Sequence, residues 1–325
     1  MKKKMLRLAI IIVLAGCFLN YSEVKAVTIS PPFFDYSLNP GDTVSDVIKV
    51  YNETTLPITV YPIAVNFTSG DDEAGIPNFY SAAQYNSSGL SRWISFPKDP
   101  ITLKPGERSN LLFSIYVPLD GDPGGHYGGI IFSSTPPEER AGTVGVGEQL
   151  AAIMLLRVSG DIIEQGRIEE FGFYGGKRIF THLPVNFFVR FKNEGTIHVR
   201  PVGNAFITNM IGGQSASIKV NTQLGSVLPN SIRRYYFDWK KGDDIERESE
   251  FKKELRNFGL GRYRATVVLN YGKEGQTVTA ERTFWVFPWI LMILGFVGFV
   301  FLAFLLKMYN RSVVNRYIKK NTLKE

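Results

Sequence analysis

Residues 286–306 run twenty-one positions without a charge, from Val286-Phe287-Pro288-Trp289 to Phe304-Leu305-Leu306. At about 1.5 Å per residue, a helix of that length spans roughly 31 Å, the thickness of a bilayer's hydrocarbon core. Trp285, Phe287 and Trp289 stand at one end, where amphipathic rings favour the membrane interface. Behind the run come Lys307, Arg311, Arg316, Lys319, Lys320 and Lys324 against the single acid Glu325. Lys and Arg collect on the cytoplasmic side, so the expected arrangement is a single-pass protein of the cell membrane. Its tail, residues 307–325, lies in the cytoplasm, and everything before residue 286 lies outside.

The other end of the chain points the same way. Lys2, Lys3, Lys4 and Arg7 precede an apolar run over residues 8–19, and Val24-Lys25-Ala26 offers a small residue at a cleavage position. This is the pattern of a secretory signal peptide, residues 1–26. Leu14-Ala15-Gly16-Cys17 also resembles a bacterial lipobox, which would make Cys17 a lipidated first residue. The chain's charge of +7 belongs to these two ends. Residues 1–26 carry a net +4 and residues 307–325 a net +5, which leaves −2 between them. The exported part therefore has no electrostatic footprint for nucleic acid. Cys17 is the one cysteine, so that part cannot use disulfides and must be held by apolar cores.

Between the two ends, strand patterns alternate with turn signals. Val27-Thr28-Ile29-Ser30 reads as a short strand stopped by Pro31 and Pro32. Asn39-Pro40-Gly41-Asp42 is a turn, because proline presets φ and glycine supplies positive φ. Val44 to Val50 and Ile58 to Phe67 read as two strands joined by a turn-rich connection at residues 52–57. Residues 69–86 read as loop and Trp93-Ile94-Ser95-Phe96 as a strand. Leu111, Phe113, Ile115 and Val117 alternate cleanly after a turn at Pro105-Gly106. Gly129 and Ile131 belong to a strand opened by Gly124-Gly125-His126-Tyr127. Residues 150–158 close the series. Short strands punctuated every 8 to 12 residues predict a β-sandwich of immunoglobulin type.

The second half repeats this order. Phe191-Lys192-Asn193-Glu194 matches Val50-Tyr51-Asn52-Glu53, Val227-Leu228-Pro229 matches Leu103-Lys104-Pro105, and Gly259-Leu260-Gly261-Arg262-Tyr263 matches the glycine turn before Tyr127. A charged insertion at residues 243–257 predicts a short surface helix with Phe251, Leu255 and Phe258 on one face. The expected fold class is all-β, with two tandem immunoglobulin-like β-sandwich domains, 27–160 and 161–285, ahead of the transmembrane helix 286–306.

Catalytic or metal chemistry finds little support. The histidines are His126, His182 and His198, none with Cys or carboxylate partners at ligand spacing. Asp71-Asp72-Glu73 and Asp120-Gly121-Asp122 lack the longer ligand series of a calcium loop. The glycines at 142–147 are not followed by the lysine or helix that phosphate binding needs. The reading is therefore a non-catalytic protein with no metal and no cofactor. Binding remains. Phe79, Tyr80 and Tyr85 gather rings among small polar residues, a composition suited to stacking on sugar faces or filling a protein pocket.

Taken together, Ile29-Ser30-Pro31-Pro32, Asn39-Pro40-Gly41-Asp42, the segment Gly125-His126-Tyr127-Gly128-Gly129-Ile130-Ile131-Phe132, a second sandwich, one membrane helix and a basic tail resemble the WxL-interacting proteins of Gram-positive bacteria. The resemblance covers nearly the whole chain and is most specific over 27–160. It implies a first domain associated with peptidoglycan or another envelope glycan, and a second that engages surface protein partners. The alternative is an extracytoplasmic assembly chaperone in which residues 150–158 pair with a client by β-strand addition. Trp289-Ile290-Leu291 spells W-x-L, but inside the apolar run.

Overall fold

A computed structural model describes residues 26–80, 89–136, 149–241 and 249–322. Residues 1–25 with Cys17, Tyr85, the glycines at 142–147, and Lys324 with Glu325 lie outside the described residues. The chain divides into two compact units, Met1–Thr68 with Asn78–Asp161, and Ser69–Pro77 with Ile162–Glu325.

The first unit contains β1 (Val27–Ser30), β2 (Phe33–Leu38), β3 (Thr43–Asn52), β4 (Ile58–Ser69), β5 (Pro77–Tyr80), β6 (Ile94–Ser95), β7 (Ile101–Leu103), β8 (Arg108–Tyr116), β9 (Gly124–Ser133) and β10 (Gln149–Val158). One sheet has the order β1-β3-β8-β6; the other runs β2-β10-β9-β4-β5, with β7 joined to β4. Period-two alternation decides which side chains meet. Ile48 and Val50 from β3 and Leu111, Phe113 and Ile115 from β8 face Ile130, Phe132, Met154 and Leu156 from the other sheet. Their neighbour Leu112 points outward and is 67% exposed. Pro31 and Pro32 carry no backbone N–H, so antiparallel pairing with β3 ends at Ser30. The chain then crosses to the opposite sheet, where β2 pairs in parallel with β10. The sequence patterns do not predict this strand, nor β5 within the 69–86 loop.

The second unit contains β11 (Gly166–Phe173), β12 (Ile179–Phe180), β13 (Val185–Asn193), β14 (Val202–Asn209), β15 (Gln214–Val220), β16 (Ile232–Trp239), α1 (Glu250–Arg256), β17 (Gly261–Tyr271), β18 (Gln276–Val286) and α2 (Trp289–Thr322). Its sheets are β11-β13-β16 and β12-β18-β17-β14-β15. Aromatic rings fill the space between them. Phe187 stacks on Phe237 at 5.4 Å between centroids and meets the edge of Phe284 at 5.6 Å.

The two units share one pairing plan. β3 pairs β8 as β13 pairs β16, and a short strand runs parallel to the last strand in each, β2 on β10 and β12 on β18. They also share a buried carboxamide. Asn52, fully buried, donates from Nδ2 to the carbonyls of Leu56 (2.9 Å) and Leu103 (3.1 Å) and accepts from Thr54 N at 2.9 Å. Asn193, also fully buried, donates to the carbonyls of Ile197 (2.8 Å) and Val227 (2.9 Å) and accepts from Gly195 N at 2.9 Å.

Three expectations are corrected. Gly124 and Gly261 both open a strand at positive φ, opposite the last residues Val158 and Val286. That alignment matches Tyr263 with His126, not Tyr127; a one-residue offset moves a side chain to the other face of a sheet. The expected short helix spans Glu250–Arg256, so Phe258 lies beyond its end; Phe251 and Leu255 are exposed, while Glu254 is 1% exposed. Finally, Val286 is buried at the end of β18, and the long helix begins at Trp289 and continues past Lys307. Trp289–Asn315 is a candidate membrane span by length and composition.

Asn193→Ala removes three hydrogen bonds and strands two carbonyls and an N–H in a dry interior. A loss of about 2–4 kcal/mol is expected on the scale for buried unsatisfied groups. Denaturant unfolding of the full chain in detergent, followed by fluorescence of the buried Trp239, measures it. A loss below about 1 kcal/mol would show that these loops find other partners.

Candidate partner-binding groove

The side of β11-β13-β16 away from the core carries two cross-strand rows. Register places Gly172 beside Phe188 and Phe188 beside Tyr236 in one row, and Glu170 beside Arg190 and Arg190 beside Arg234 in the next. Gly172 is tight against its neighbour: a Cβ there would come within 3.1 Å of the Phe188 ring. Past β11, Gly175 and Gly176 take positive φ, and Gly176 N donates to Phe173 O at 2.9 Å, which turns the chain sharply and projects Tyr174.

These residues bound a groove of about 440 Å³ lined by Tyr174, Tyr236, Phe188, Arg178, Arg234, Arg282 and the β11 segment from Glu170 to Phe173. Tyr174 (67% exposed) and Tyr236 (59%) meet edge to face at 6.0 Å. The Arg234 guanidinium lies 5.4 Å from the centre of the Phe188 ring. Among the described residues, neither Arg178 nor Arg282 has an acidic partner. The lining therefore offers three guanidiniums, of which Arg234 is paired with Glu73, against the single carboxylate of Glu170, which bonds to Arg190 at 3.1 Å. Planar guanidiniums next to ring faces suit carboxylates and extended peptide.

Beside the groove, the Ser69–Pro77 segment of this unit holds Glu73 against the same sheet. Its carboxylate accepts from Arg190 Nε at 2.8 Å and Arg234 Nη2 at 2.9 Å, and Arg234 N donates to Glu73 O at 2.8 Å. The bond from Arg190 holds the Glu73 carboxyl below its usual range, with both arginine charges adding to it. The same pair raises Arg190. Glu73 thus fixes Arg190 and Arg234 at the groove's rim.

The residues singled out from sequence lie elsewhere. Phe79 and Tyr80 sit half-buried on β5, and the Phe79 ring packs edge-on against Phe67 at 5.7 Å. His126 packs on Trp93 at 4.4 Å, with Nε2 2.8 Å from Asp122 O. His182 lies 2.7 Å from Leu183 O and 3.3 Å from Glu250, and His198 is buried. Among the described residues, no group of three or more His, Cys, Asp or Glu is placed to hold a metal. Sequence reading misses the groove residues because they belong to distant strands. The available signal is Arg234 and Tyr236 on the outward positions of a strand whose inward positions are apolar.

No family model matches the chain, and no curated protein matches it. Solved structures with similar sandwiches include a class 5 fimbriae chaperone, CfaA, at 11% identity, TM-score 0.37, covering 79% of this chain and 98% of that one. The Escherichia coli chaperone DraB is 12% identical at TM-score 0.33, covering 81% and 96%. The Pseudomonas aeruginosa chaperone CupB2 is 10% identical at TM-score 0.33, covering 78% and 99%. Overlap of this extent transfers neither ligand nor mechanism.

The lowered Glu73 carboxyl sets a pH dependence. Because its folded value lies below the ordinary 4.5, its stabilisation is complete above that value and is lost as pH falls through the lowered one. Unfolding midpoints of the wild type and Glu73→Gln should differ at neutral pH and converge at the acid end. A gap that persists unchanged at the lowest pH would mean that the charge contributes nothing.

Proposed function

We propose that this chain is a non-catalytic, membrane-anchored protein of the cell envelope that binds a protein partner through its second unit. The groove supports this reading most directly: exposed Tyr174 and Tyr236, Phe188 and three guanidiniums form the aromatic–arginine composition of binding hot spots. The apolar helix α2 supports anchoring, with the preceding units outside and the basic end in the cytoplasm. The charge of the lining favours an extended segment that carries Asp or Glu.

Strand addition is the second reading, and an open edge favours it. β12 covers only Trp285 and Val286 of β18, which leaves residues 276–284 without a strand neighbour on that side among the described residues. In the first unit, β2 occupies residues 153–158 of β10, so among the described residues the edge expected there is open only at residues 149–152. An unpaired edge is a template for a strand from another chain.

Capture of surface proteins by the full chain, with a photo-crosslinking residue at Tyr174, separates the two modes. Tyr236→Ala and Arg178→Ala should each cut capture about tenfold or more if the groove is the site. Thr279→Pro or Ala280→Pro, whichever carries its N–H on the outer side of β18, should leave capture intact under the first reading and abolish it under the second. Capture unaffected by any of these variants would overturn both.

Peptidoglycan is the proposed ligand of the first unit, through Phe79 and Tyr80. Tyr80→Ala should reduce sedimentation with purified peptidoglycan. Equal sedimentation would remove that contact, and no sedimentation by the wild type would remove the ligand.

A further inference from the structure

The junction between β18 and α2 contains a buried acid with a clear task. Glu254 of α1 is 1% exposed, and its carboxylate accepts from the first backbone N–H groups of α2, Leu291 N at 3.0 Å and Ile290 N at 3.4 Å. The opening N–H groups of a helix have no partner inside it and carry the positive end of its dipole, so a carboxylate there satisfies both needs. A carboxylate from a separate helix therefore clamps α1 to the start of the apolar helix.

That clamp fixes what α1 presents. Phe251 and Leu255, one turn apart, stand beside Glu254 on the helix surface and are 40% and 58% exposed. Lys252 and Arg256 lie on the opposite side and are exposed. The chain following α1 returns to the same end of the unit. Gly259 lies against the Val286 side chain, so close that a Cβ at this glycine would meet it at 3.1 Å, which places exposed Phe258 beside the end of β18. Trp285, Phe287 and Trp289, each about half exposed, complete this apolar end at the point where α2 begins. In a soluble protein such a cluster would be covered. Its place at the root of a 27-residue candidate span identifies the cover.

We propose that α1 lies on the surface of the bilayer that α2 crosses, with Phe251 and Leu255 immersed at the headgroup–acyl boundary and Lys252 directed to anionic lipid headgroups. This rests on reading α2 as a membrane span. Three physical features fit a lipid surface: an apolar strip with a cation along its outer side, indole rings at the depth they favour, and a backbone clamp that holds the strip level with the first turn of the span.

The test uses the full chain with Cys17→Ser and one new cysteine at a time, labelled with an environment-sensitive fluorophore. The protein is reconstituted into phosphatidylcholine–phosphatidylglycerol vesicles that carry nitroxide lipids at shallow or deep positions. Leu255→Cys, and independently Phe251→Cys, should be quenched about twofold or more by the shallow nitroxide. Leu224→Cys, at an exposed position between β15 and β16, should not be quenched, and Leu302→Cys should be quenched by the deep one. Quenching at 302 without quenching at 251 or 255 overturns the proposal while the span stands, and indicates a protein cover instead. No quenching at 302 overturns the span and the proposal together. Glu254→Ala should lower quenching at 255 and leave 302 unchanged; equal quenching at 255 would show that the clamp does not hold α1 to the membrane.

Discussion

Burial of the inward strand faces is the constraint on which both units depend, because Cys17 is the one cysteine of the chain and no disulfide can cross-link them. A sheet with one apolar face is stable only against another such face. In the second unit the inner layer is largely aromatic, with Phe171, Phe187, Phe191, Phe237 and Phe284 all nearly or fully buried. Large rings fill the roughly 10 Å between sheets with few side chains, and they meet both stacked, as Phe187 on Phe237, and edge to face, as Phe187 against Phe284. In the first unit aliphatic residues carry more of that layer, as Ile48, Ile115, Ile130 and Leu156 show. The pairing plan is shared although the packing chemistry differs.

The register that buries one residue presents the next. Phe187 stacks in the core, so Phe188 must face outward, and the same alternation sends Phe237 inward and Tyr236 outward. The groove is therefore a direct consequence of the core's period. Residues that pack cannot vary without cost, while their alternate neighbours are free to take arginine and tyrosine. Glu73 then limits that freedom by bonding Arg190 and Arg234 at the rim. Fixing side chains before a ligand arrives lowers the conformational entropy lost on binding.

Much of this fold is legible in the sequence because turn chemistry and alternation act locally. Asn39-Pro40-Gly41-Asp42 announces its turn, and Gly41 adopts the positive φ that glycine tolerates, with Asp42 accepting from Asn39 N at 2.8 Å. The alternation of Leu111, Phe113 and Ile115 predicts their burial. β2 is harder to read: Phe34, Tyr36 and Leu38 alternate correctly, but they are pressed between two prolines and a turn, and their partner β10 lies more than a hundred residues away. The groove is illegible for the same reason, since Arg178, Arg234 and Arg282 meet only after the strands pair. For α1 the usual rule, that apolar residues face the protein, gives the wrong face. Here an acid is buried, because the neighbouring surface is a helix start rich in unpaired N–H groups.

That reversal shows how a local rule yields to its surroundings. A helix next to a protein core buries its apolar stripe, whereas a helix beside the first turn of α2 meets donors and positive potential. Glu254 answers that environment better than Phe251 or Leu255, whose ring and methyl groups have nothing to offer an N–H. With the acid turned inward, Phe251 and Leu255 fall about 60° and 100° round the helix from it, and both are exposed. The exposed strip and the buried carboxylate are therefore one feature. On the proposed reading of α2 as a membrane span, the strip meets the same apolar phase into which the side chains of α2 project.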